Sequence, residues 1–388
     1  MNKNIKNIAA TIIIFLTVVA IIYVKFVQKK EIFKPVKVLK EKVHSLKFTK
    51  NIYESAKTIS ADFFTKRDRD NNIDSLAIWH GPDGQNWLLA TAKSTHKIII
   101  YDALTGDFIK YFGTQGGQLG ELLRPNGIFV IDNFAFITER DNKRVQVFSL
   151  PDCNSLGFIG ENNLKRPYGI TIYKNSLGNY IVYVTDSYIT KNLQEMGDRV
   201  HIYQVDIKDN ILKSEFIKKF GDTAGAGVLY KVESIAVDPE NNRLFVADES
   251  PKQKNIKIYD LDGYFLNQLL GENMFACEPE GISIYATGAK IGFVVATDQS
   301  IAKNIFHVFD RLTLKHLGSF KAEQTSNTDG IIITNKPFGK FVQGAFYAVN
   351  DDGNVTVIAW IKISDSLKLN KEIEKEVKRE IRVAGVQA

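Results

Sequence analysis

A short phrase recurs six times along the chain: SLAIW (75–79), NGIFV (126–130), YGITIY (168–173), ESIAVD (233–238), EGISIY (280–285) and DGIIIT (329–334). Each opens on a polar residue or Tyr, usually passes through Gly, and then alternates apolar residues. A second segment follows and ends in a small or polar cluster: LLATAK, AFITER, VYVTDS, LFVADE, FVVATD and FYAVND. A third comes next, as in KIIIYD, RVQVFS, IKIYD and FHVFD, and a fourth often follows a Thr-Gly or Asp-Gly turn, as in LTGDFIKYFG and LDGYFLNQLLG. Period-two alternation with β-branched and aromatic enrichment specifies strand rather than helix. A repeat of roughly 40–65 residues, four strands each, is the spacing of propeller blades. A lone antiparallel sheet cannot cover both of its faces, so six such units predict an all-β, six-bladed β-propeller over residues 70–363.

The flanks differ from this body. Residues 8–24, IAATIIIFLTVVAIIYV, carry no charge and as a helix would reach about 26 Å at about 1.5 Å per residue. Residues 1–30 are therefore expected to be a membrane anchor or a signal segment, with 31–69 a basic linker. No small-x-small cleavage pattern follows, which favours an anchor, with the propeller on the extracytoplasmic side; cleavage would make it secreted. Residues 364–388, with acid-to-Lys spacings, are expected to form a short helical tail. The formal charge of +6 is misleading. Up to residue 67 there are 14 Lys/Arg against 4 Asp/Glu, so the body is mildly acidic and gives no reason to expect nucleic acid. Cys153 and Cys277, the 2 cysteines, exclude a disulfide framework and lie in no CxxC pair. A monomer is expected.

In an antiparallel blade, the start of the first strand and the end of the second lie on the same face, and the first strand lines the central channel. Residues at these two places converge on one mouth. They are Asp74 and Lys93 in blade one, Glu139 and Arg140 in blade two, and Tyr168 and Asp186 in blade three. Blade four contributes Glu233, Asp248 and Glu249, blade five Glu278, Glu280 and Asp298, and blade six Glu323, Asp329 and Asp351. So many facing carboxylates repel unless a cation lies between them. Oxygen donors without clustered His or Cys specify a hard cation, and flexible acids suit calcium better than magnesium. Lys93 and Arg140 at the same mouth suit a phosphorylated ligand. No P-loop, HExxH, GxSxG or Cys-x5-Arg motif is present.

Over residues 74–363 these motifs resemble the β-propeller phytases, calcium-dependent phosphatases acting on inositol hexakisphosphate. DSLAIW is similar to the family's Asp-Asp-Pro-Ala-Ile-Trp, TERDNKRVQVF to its Ser-Asn-Arg segment, RPYGITIY to Glu-x-Tyr-Gly, and EPEGISIY to Asp-x-Glu-Gly-Leu-Thr-Ile-Tyr. VESIAVDPENNRLFVADE and EQTSNTDGIII align with its remaining acidic segments. The resemblance implies calcium ligands at Asp74, Glu233, Glu249, Glu278, Glu280, Glu323 and Asp329. It implies a catalytic set of Lys93, Arg140 and Tyr168 around a phytate-like small molecule. Ser75, Ser187, Ser234 and Asn327 stand where the family has other residues. Residues 112–148, with Pro-x-Gly-Ile and Asn-x-Arg-Val-x-Val-Phe, also look like an NHL repeat, whose propellers commonly act as binding platforms. The competing expectation is a membrane-tethered, non-catalytic module that binds a protein or glycan.

Overall fold

Blade one is built from Ile73–His80, Asn86–Ala92, Lys97–Asp102 and Phe108–Phe112, hydrogen-bonded in that order. Five further sheets repeat the pattern, with inner strands Pro125–Ile131, Pro167–Lys174, Val232–Asp238, Glu278–Ala286 and Ile331–Thr334. The chain is a six-bladed β-propeller, seen here in a computed structural model that describes residues 51–301 and 304–370. Its compact unit begins at Tyr53. The expected anchor over 1–30, much of the expected linker and the tail beyond 370 lie outside the described residues.

Burial follows from stacking. Second and third strands are buried almost throughout, as in Ala345–Asn350 and Asn354–Ala359, because a neighbouring blade covers each face. Outer strands are largely exposed, as in Ile211–Phe220. The core is therefore a set of clusters between blades. One joins Trp79, Leu89 and Ile98 of blade one to Ile128, Ile137 and Phe148 of blade two. Another joins Leu88 and Tyr101 of blade one to Tyr347 and Val357 of blade six, which closes the ring.

Closure comes from a segment the sequence placed in the linker. Phe63–Phe64 pairs antiparallel with Asn354–Ala359 and is blade six's outer strand, while Lys57–Ile59 adds a fifth, parallel strand to blade five. Propeller strands thus begin at Lys57, ahead of the expected boundary at 70. A two-residue strand is too short to show periodicity, so nothing in its sequence marked it. Its partner's far end also differs: the closing strand stops at Ala359 and a helix, Trp360–Leu367, begins there. Trp360 stacks on Tyr285 with ring centroids 4.2 Å apart, holding this helix against blade five.

At the start of the inner strands the ladder breaks. Pairing with the second strand skips residues 74–75, 168–169, 233–234 and 280–281, and a register shift falls at the matching place in blade two. Such bulges re-aim a side chain. The freed N–H groups are captured by second-strand threonines: Ser75 N–H donates to Thr91 Oγ1 (2.9 Å), Gly127 to Thr138 (2.7 Å) and Gly169 to Thr185 (2.8 Å). Each of these hydroxyls in turn donates to a carbonyl of the next blade, at Asn126, Tyr168 and Glu233. Neighbouring inner strands approach so closely that a Cβ on Gly127 or Gly169 would collide with that carbonyl, which is why glycine stands there.

The pairing predicts that closure is energetically separable. A chain beginning at residue 66 should melt roughly 5–10 °C below one beginning at residue 61, by circular dichroism, because losing a blade's outer strand costs several kcal/mol. Equal melting temperatures would show that the strand does not hold blade six.

Candidate metal centre

The residue before each bulge glycine or serine occupies one equivalent position per blade: Asp74, Asn126, Tyr168, Glu233, Glu280 and Asp329. Together they form a ring around the channel mouth, with four carboxylates among six side chains. Second strands add two more groups from the residue just past their ends, Lys93 and Glu249.

The ring divides into two halves. In one, Lys93 Nζ lies 2.6 Å from Asp74 Oδ1 and 3.2 Å from Asp329 Oδ2, tying blade one to blade six. Tyr168 donates its hydroxyl to Asp74 Oδ1 (2.9 Å), and Gln299 donates to Asp329. Burial alone would raise Asp74, but Lys93, Tyr168 and Asn126 outweigh it and hold this carboxyl below its usual value. Asp329 goes the other way: burial, then the charge of Asp74, push it up to about 8.

In the other half, Glu233, Glu249 and Glu280 bring carboxylate oxygens within 4.8 Å of one another. Glu249 is 0 % exposed, Glu280 5 % and Glu233 9 %. Lys231 Nζ lies 2.6 Å from Glu249 Oε2 and 3.4 Å from Glu233 Oε1. Burial raises all three glutamates; the charge of Glu233 then adds to Glu249, and those of Glu249 and Glu233 add to Glu280. Glu249 Oε1 is buried with no N–H or hydroxyl donor, and the Glu249 and Glu280 carboxyl groups lie within hydrogen-bonding reach of each other. Three buried acids facing one another, one of them with an oxygen that no N–H or hydroxyl reaches, form an all-oxygen donor set of the kind that suits calcium or magnesium.

Not every expected residue joins this centre. Glu278, half-exposed, reaches it only through Lys231 Nζ at 3.9 Å. Glu323 is exposed beyond the outer strand of blade five. Arg140 turns to Asp141 (2.8 Å), and among the described residues no ion pair joins it to the ring. The second-strand acids Glu139, Asp186, Asp248 and Asp298 point sideways rather than into the mouth. They accept N–H groups of the incoming loops, from Leu123, Arg166, Lys231 and Cys277 respectively. Each also meets a third-strand side chain: Gln146, His201, Lys257 and His307. Each acid holds the loop that delivers its own blade's ring residue. Asp351 pairs with Arg67 and Arg69. Lys231 and Gln299, by contrast, were not singled out in the sequence, although Lys231 stands two residues before Glu233 and so shares its side of the strand.

The chain matches no family model and no curated protein. Among solved structures it is similar to Kuenenia stuttgartiensis hydrazine synthase, at 14% identity over 76% of this chain and 97% of that one, with a TM-score of 0.47. It is also similar to a streptogramin B lyase structure, at 14% identity over 76% of this chain and 96% of that one, with a TM-score of 0.46. Neither likeness carries chemistry to this chain.

The raised carboxyls give a pH signature. A group whose folded pKa lies above its unfolded value stabilises fully below the unfolded pKa, and that contribution is lost as pH rises through the folded one. In chelator, Glu280→Gln should therefore match wild type near pH 4 and melt higher by pH 8, because the glutamate ionises freely in the unfolded chain and resists ionisation when buried. Added calcium should stabilise wild type more than the variant. A melting difference independent of pH would show that the fold does not favour the protonated form of Glu280.

Proposed function

We propose that this protein is a calcium-dependent phosphomonoester hydrolase of the β-propeller phytase type, acting on inositol hexakisphosphate or a related phosphorylated small molecule. The observation that carries the proposal is the buried Glu233–Glu249–Glu280 cluster, with a Glu249 oxygen that no N–H or hydroxyl donor reaches. These three residues would hold the cation, and Asp74 and Asp329 complete the acidic floor. A bound calcium ion would neutralise phosphate oxygens and lower the pKa of a water molecule.

The chain's own residues supply the rest. Lys93, 10 % exposed at its side chain and held between Asp74 and Asp329, is a fixed positive charge at the mouth for a phosphate oxygen. Its pairing keeps it protonated: the charges of Asp74 and Asp329 outweigh burial and raise its pKa. Tyr168, whose own pKa is pushed far up by burial and by the surrounding acids, stays a neutral donor and orients Asp74. Calcium at the millimolar level found outside cells fits a site of this kind, in keeping with a propeller tethered at a membrane by residues 8–24 and facing outward.

The engagement of Lys93 with two carboxylates, and of Arg140 with Asp141, favours a second reading, a propeller that binds calcium and a partner without catalysis. Phosphate release separates the two. The protein from residue 51 should release inorganic phosphate from phytate with calcium, lose this in chelator, and fall at least about 100-fold in rate with Lys93→Met. Calcium binding without release at any calcium concentration would leave the binding module.

A further inference from the structure

One pleat above the ring, two residues before each ring position, the blades differ: Asn72, Arg124, Arg166, Lys231, Glu278 and Asn327. Lys231 is the one whose ammonium reaches down among the ring acids. Resting on the divalent-cation reading of the cluster, we propose that Lys231 is a tethered substitute for that cation, which occupies the entrance of the Glu233–Glu249–Glu280 cluster and swings out when a divalent ion enters.

Its ammonium meets three carboxylates from two blades, Glu249 Oε2 at 2.6 Å, Glu233 Oε1 at 3.4 Å and Glu278 Oε2 at 3.9 Å. A monovalent cation would take the same neighbours. The fit is incomplete, however. Glu280 is not among its ion pairs, and no N–H or hydroxyl donor reaches the buried Glu249 Oε1. One positive charge therefore covers the cluster from the rim and leaves its interior uncompensated, so a divalent ion has more to gain there than the ammonium has to lose.

The backbone is built for such a movement. Asp248 Oδ1 fixes the Lys231 peptide N–H at 3.1 Å, so the anchor stays while the stem turns. The Lys231 side chain is 44 % exposed, against 10 % for Lys93, whose two carboxylates enclose it. The two lysines thus have different duties: Lys93 is a permanent member of the ring, and Lys231 is a removable one. Competition with its own lysine weakens the site's affinity for calcium and keeps the apo protein folded despite its crowded acids. Once released, the ammonium stands at the rim, available to an anionic ligand, so cation and ligand reinforce each other's binding.

Two measurements test this with calcium chloride as the probe. In thermal-shift titrations from chelator-treated protein, Lys231→Met should half-saturate at about tenfold lower calcium than wild type, the scale of one partly exposed ion pair no longer displaced. In wild type, acylation footprinting by mass spectrometry should show Lys231 becoming several-fold more reactive at saturating calcium, with exposed Lys252 and buried Lys257 unchanged. The second measurement decides the matter if the variant fails to fold. Equal half-saturation in the two proteins, or unchanged Lys231 reactivity while calcium still stabilises wild type, overturns the role of Lys231 alone. No response of wild type to calcium or magnesium overturns the cation reading and this inference with it.

Discussion

The bulge that opens the inner strands governs the rest of the molecule. It removes two residues from the ladder, and the first of them points at the channel mouth. The small second residue lets the next blade's carbonyl come close, and the second-strand threonines join the freed N–H of one blade to that carbonyl of the next. The same local device therefore packs blades together and crowds their ring side chains. In four blades that side chain is a carboxylate, so tight packing and charge repulsion are inseparable here.

The molecule answers the repulsion unequally on its two sides. Lys93, Tyr168, Asn126 and Gln299 surround Asp74 and Asp329 with donors, so that half is close to balanced. The half formed by Glu233, Glu249 and Glu280 has a single ammonium paired to it and a buried Glu249 oxygen that no N–H or hydroxyl donor reaches. On the proposed reading, a cation would sit on the under-compensated side, and Lys93 on the balanced side would face an anionic ligand.

The balanced half also depends on closure. The Lys93–Asp329 pair spans the seam between blades one and six, and that seam is where Phe63–Phe64 completes blade six. A segment remote from the mouth thus bears on whether two of its charges meet. Tyr53, which donates its hydroxyl to Asp298, fastens the beginning of the same segment to blade five.

The repeat alone determined the six-bladed fold and which positions converge, because the alternating strand and its polar opening residue recur at fixed places. Glu233, Glu280 and Asp329 were visible for that reason. Only the tertiary structure decided which acids face one another. Glu139, Asp186, Asp248 and Asp298 have the same chemistry and lie at the end of the neighbouring strand, yet loop N–H groups and third-strand partners turn them aside. Glu249, one residue further along than Asp248, faces the cluster instead. Lys231 belonged to an unremarkable loop until Asp248 held its N–H and the fold placed its ammonium beside three carboxylates. Direction at a strand end is set by hydrogen bonds from residues far away in sequence, and a sequence pattern contains no record of those partners.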